Sequence, residues 1–111
     1  MNLKPDATAH TLLAAALEKA GVHVKGTWTE PLSSTLYSIG IEYPGIHAVE
    51  VSGDDSGWKL WWYLRNTITP TLMYTLAPTR YEDAMAEQVR KVLHALAGQA
   101  HALDMVSGLY I

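Results

Sequence analysis

The stretch Trp58-Lys59-Leu60-Trp61-Trp62-Tyr63-Leu64-Arg65 decides how this chain is read. Side chains alternate between two faces along a strand. Trp58, Leu60, Trp62 and Leu64 then point one way, a set fit for a core. Lys59, Trp61, Tyr63 and Arg65 point the other way. They place two large aromatics between two cations on the outer face of a sheet. Aromatics in such a place meet a partner, a ligand or a covering segment of the same chain.

Working outward, four more segments show strand periodicity. Residues 22–29 set Val22, Val24 and Trp28 against His23, Lys25, Thr27 and Thr29. Residues 35–43 set Tyr37, Ile39, Ile41 and Tyr43 against Leu36, Ser38, Gly40 and Glu42. Residues 46–52 set Val49 and Val51, with His47, against Ala48, Glu50 and Ser52. The aromatic strand covers 57–65. Residues 71–77 set Leu72, Tyr74 and Leu76 against Thr71, Met73 and Thr75. The joints are short: 30–34, the turn Tyr43-Pro44-Gly45-Ile46, the hairpin loop Gly53-Asp54-Asp55-Ser56-Gly57, and 66–70. Parallel crossovers need a dozen or more residues, so joints of this length make antiparallel neighbours. The expectation is a five-stranded meander in the order 1-2-3-4-5.

A helix is expected on either side. The first runs over 7–20, with Asp6 as N-cap and Gly21 as its stop. Its apolar residues Ala9, Leu12, Leu13, Ala16, Leu17 and Ala20 recur at helical spacing. The second starts near residue 80 behind a capping box of Thr79 and Glu82. Met85, Val89, Val92, Leu96, Ala100 and Leu103 continue its stripe. Gly98 either ends this helix or interrupts it, and the apolar tail Gly108-Leu109-Tyr110-Ile111 is expected to pack. Two amphipathic helices and one apolar sheet face give an α+β, two-layer sandwich with both helices on that face.

Composition sets outer limits. The chain has 111 residues, 49% of them hydrophobic, which suits one domain, 1–111, with a core of its own. Only 17% are charged, against roughly 25% in typical soluble domains. The net charge of −3 leaves no broad basic field for a phosphate backbone, so nucleic acid is a poor partner. No cysteine is present, which removes disulfides, thiolate nucleophiles and cysteine-based zinc sites. A cytoplasmic location is expected, since the start shows no leader-like apolar run and no stretch is apolar enough for a membrane span.

Motifs of catalysis or cofactor binding are not found. The serines lack a Gly-x-Ser-x-Gly context, and no glycine-rich loop joins a strand to a helix. The 53–57 loop lacks the ligand pattern and closing Glu of a calcium-binding EF-hand loop. His94 and His101 lie seven apart, about 10 Å along a helix axis, too far to share one ion. His101 and Asp104 are closer, but two ligands make a weak metal signal. No motif assigns the chain to a family, and no cofactor or metal is expected.

The expected function is therefore a small non-enzymatic interaction domain that pairs with a second copy, or with another protein, through its outer sheet face. Lys59, Trp61, Tyr63, Arg65, Lys25 and Met73 are its candidate binding residues. The alternative is a small ligand or single-stranded nucleic acid stacked on the same row. An enzyme assembled from distant residues is a second alternative.

Overall fold

A computed structural model describes residues 2–31, 33–63 and 72–110. The elements run α1 (Ala7–Lys19), β1 (His23–Pro31), β2 (Thr35–Tyr43), β3 (Ile46–Asp54), β4 (Gly57–Tyr63), β5 (Leu72–Thr75) and α2 (Glu82–Tyr110). The strands form one sheet in the order β1-β2-β3-β4-β5. All four pairings are antiparallel. This is the meander and the α+β class expected from the sequence.

Local chemistry explains where the elements start and turn. The Asp6 carboxylate accepts from the Ala9 amide at 2.7 Å and caps α1. Glu18, in the last turn of that helix, accepts from the Val24 amide at 2.7 Å and fixes the angle at which β1 departs. The β2–β3 connection is the pair Pro44-Gly45, with Gly45 at φ 85, a conformation open to glycine at little cost. The β3–β4 loop is shorter than expected. Asp54 pairs with Gly57, leaving Asp55 and Ser56 as the turn. The Ser56 hydroxyl and amide both donate to Asp54 Oδ1, at 2.6 and 2.8 Å. These bonds, the hydroxyl first, hold the Asp54 carboxyl below its ordinary range.

The core lies between one sheet face and both helices. Ile39, Val51 and Leu60 of the sheet, Leu13 and Leu17 of α1, and Met85, Val89 and Leu93 of α2 belong to one buried cluster. His10 joins α1 to the sheet, its Nε2 lying 2.7 Å from the Ser38 carbonyl and its ring edge-on to Tyr37 at 5.4 Å. The N-terminal segment is tied across one end of the sheet. The Trp58 indole N–H donates to the Leu3 carbonyl at 3.1 Å, and the Leu3 amide donates to the Thr79 carbonyl at 2.6 Å.

Several expectations need correction. Trp28, expected in the core with Val22 and Val24, is 41% exposed on the outer face. The cause is a bulge: Val24 pairs with Ile41 but Gly26 pairs with Gly40. Lys25 is thus one residue too many, and every later residue of β1 changes side. Thr27 and Thr29, expected outside, take the other parity. Leu12 is 43% exposed and Tyr74 is 44% exposed. Leu12 sits one residue, about 100°, around the helix from Leu13, and Tyr74 lies on the edge strand. α2 starts at Glu82, two residues beyond the expected start at about Arg80. The expected capping box is replaced by a Thr79 hydroxyl that donates to the Tyr81 carbonyl at 3.1 Å. The helix passes through Gly98 without ending. Among the described residues β5 is Leu72–Thr75, so it stops two residues before the expected end at Ala77. Leu64, Arg65, the 66–70 joint, Thr71 and Ile111 lie outside the described residues, as do the side chains of His47, Leu72, Ala100, His101, Leu103, Asp104 and the 108–110 tail.

Candidate functional site on the outer sheet face

The strand register maps the face that the helices leave open. One row across the sheet reads Trp28, Ser38, Ser52, Lys59, Thr75. The next reads Gly26, Gly40, Glu50, Trp61, Met73. Below these, Ala48 pairs with Tyr63 and His23 with Glu42. Large aromatics therefore stand on β1 and β4, and between them β2 and β3 carry the small residues Ser38, Gly40, Ala48 and Ser52 together with Glu50.

The rings lie down over their small neighbours. A Cβ built on Gly40 would come within 3.1 Å of the Trp28 ring, so that ring covers the glycine. The Trp61 indole N–H donates to the Ser52 hydroxyl at 2.6 Å. Ser38 and Ser52 are buried although both helices pack on the opposite face. Side chains of their own face shield them. The Tyr63 hydroxyl donates to Glu50 Oε1 at 2.9 Å. Burial, and then this bond to a carboxylate, pushes the Tyr63 phenol up to about 12. The phenol therefore stays protonated, and a donor, across the ordinary pH range.

Between Trp28 and the Trp61–Tyr63 pair runs a shallow cleft. Its two halves adjoin, and Trp28, Glu50 and Tyr63 border both. Lys25 stands at one end and Glu30 at the other, so the cleft is positive at one end and negative at the other. Three of the expected residues, Trp61, Tyr63 and Lys25, line it. Met73 faces the same side opposite Trp61 and is 47% exposed. Lys59 is drawn to the rim, where its ammonium donates to Ser56 Oγ at 3.0 Å. Arg65 lies outside the described residues. Trp28, Glu30 and Glu50 complete the cleft. The sequence carried one signal for Trp28: a glycine inside a strand, Gly26, often marks a bulge.

Among the described residues, no group of three His, Asp or Glu side chains could hold a metal, and no helix is long and apolar enough to cross a membrane. No family model matches the chain, and neither a curated protein nor a solved structure matches it.

Proposed function

We propose that this chain is a protein-interaction domain that pairs with a second copy of itself, outer sheet face to outer sheet face. The observation that carries the reading is a single open face holding Trp28, Trp61 and Tyr63 while both helices pack on the other side. Trp and Tyr are favoured anchors of interfaces because they bury large area with few rotatable bonds.

Size and charge support the same reading. Five strands at ~4.8 Å spacing and about seven residues at ~3.4 Å each span roughly 24 by 24 Å. That flat outline of roughly 580 Å² is of the same order as the ~800 Å² per partner of a standard interface. A two-fold axis in the plane of the interface and perpendicular to the strands lays β1 over β1 in reverse. Lys25 of each copy then faces Glu30 of the other. The cysteine-free sequence is consistent with a cytoplasmic setting for this pairing.

Light scattering across a concentration range tests the proposal. The expected mass is twice 12.2 kDa, falling to the single-chain mass in Trp61→Glu and Trp28→Glu. A wild-type protein that stays monomeric at every concentration overturns it.

A further inference from the structure

The half of the cleft nearer Glu30 has a chemistry of its own. Trp28, Trp61 and Tyr63 present ring surface, and Glu30 and Glu50 present carboxylates. Its floor is Ser38 and Ser52, too small to fill it. The space measures about 520 Å³, inside the range of roughly 300–1,000 Å³ of small-group sites. Lys25 lines the adjoining half and not this one. The Lys59 ammonium is held at the hairpin by Ser56. Among the described residues, this half is therefore aromatic and acidic, and Lys25 and Lys59 are directed elsewhere.

We propose that this half of the cleft recognises a guanidinium group, the side chain of an arginine on a protein partner. The electron-rich faces of tryptophan and tyrosine attract an organic cation. A guanidinium is planar and weakly hydrated. It stacks on rings while its in-plane N–H groups reach a carboxylate, which a compact, strongly hydrated ammonium does less well. The Tyr63 hydroxyl occupies one acceptor position of Glu50. An ionised carboxylate has about four such positions, so Glu50 is held in place and can still accept. The inference rests on the outer face being the docking surface, and not on the partner being a second copy.

The test is a titration with N-acetylarginine amide, followed by tryptophan fluorescence at constant ionic strength. The protein is diluted until light scattering reads the single-chain mass, so that the cleft is open. N-acetylcitrulline amide, a neutral molecule of nearly the same shape, is the control. The expected result is a saturable change with arginine in the millimolar range and none with citrulline. Glu50→Gln and, separately, Glu30→Gln should each weaken binding by about five- to tenfold, the loss of one charge-assisted contact. Glu30 is exposed, so its variant reads out even if Glu50→Gln misfolds. Equal changes with citrulline, a change with arginine that does not saturate, or equal affinity for N-acetyllysine amide overturns the proposal. Arginine binding by a protein that is monomeric at every concentration sinks the pairing and leaves this inference standing. A dimer whose diluted monomer ignores arginine does the reverse.

Discussion

β4 carries three tryptophans within five residues, and its two faces treat them differently. Trp58 and Trp62 are buried against the helices. Trp61, between them, lies half-buried on the other side. On the helix side, rings and aliphatic chains close on one another, and apolar burial supplies the driving force. On the outer side each ring is tethered to its own sheet, Trp61 to Ser52 and Tyr63 to Glu50. A ring with a polar anchor keeps its orientation while part of it stays in water. Such a face is set before a partner arrives, which lowers the ordering cost of binding. The two faces therefore share an alternating pattern but differ in what fixes the side chains.

The sharpest way to break this comparison is to truncate one residue on each face. Leu60→Ala removes a fully buried side chain and should cost about 2–5 kcal/mol. Trp61→Ala should cost only about 1–2 kcal/mol, one hydrogen bond and part of a ring's burial. Denaturant unfolding measures both. Equal losses would make the outer aromatics a structural layer and not a prepared surface.

A glycine on each face offers a finer contrast. At Gly53 a Cβ would lie 2.6 Å from the Trp58 ring and 2.7 Å from Pro5, both held in place, so Gly53→Ala should cost about 1–3 kcal/mol by overpacking. At Gly40 the neighbour is the Trp28 ring at 3.1 Å, which solvent lets lift. Gly40→Ala should stay within about 0.5 kcal/mol of wild type, since the gain from restricting the unfolded chain offsets the contact. A large loss at Gly40 would show Trp28 to be as rigid as Trp58.

A third contrast lies in the pH dependence of Tyr63→Phe. The folded phenol titrates near 12, above its ordinary 10. The folded state therefore holds this proton more tightly than the unfolded state. The stability it contributes is present below pH 10 and is lost as pH rises toward 12. Wild type should lose more stability than Tyr63→Phe across that window. Identical slopes would mean that the Tyr63–Glu50 bond does not govern the outer face.

The arrangement of the fold was legible because its signals are local. Alternation in 35–43 and 57–63, short joints, Asp6 before an alanine-rich helix and Pro44-Gly45 at a turn are all readable within a few residues. The face of Lys59, Trp61 and Tyr63 followed from alternation alone. Trp28 was not legible, because one extra residue at Lys25 reverses the parity of the strand after it. Leu12 and Tyr74 fit apolar stripes by spacing, but the helix stripe is narrower than the sequence suggests and β5 is an edge. Thr79 has the spacing of a cap, yet its hydroxyl bonds the Tyr81 carbonyl.

The sequence by itself determined the order of elements, the antiparallel sheet and one aromatic row. Periodicity and turn chemistry act between neighbours in the chain, and so can be read there. Only the tertiary structure decided that Trp28 joins that row, that Glu50 stands between its rings and that Glu30 closes one end of the cleft. It alone tied Leu3 to Trp58 across the end of the sheet. These contacts link residues far apart in sequence, and their geometry depends on a bulge and a register that no local pattern carries.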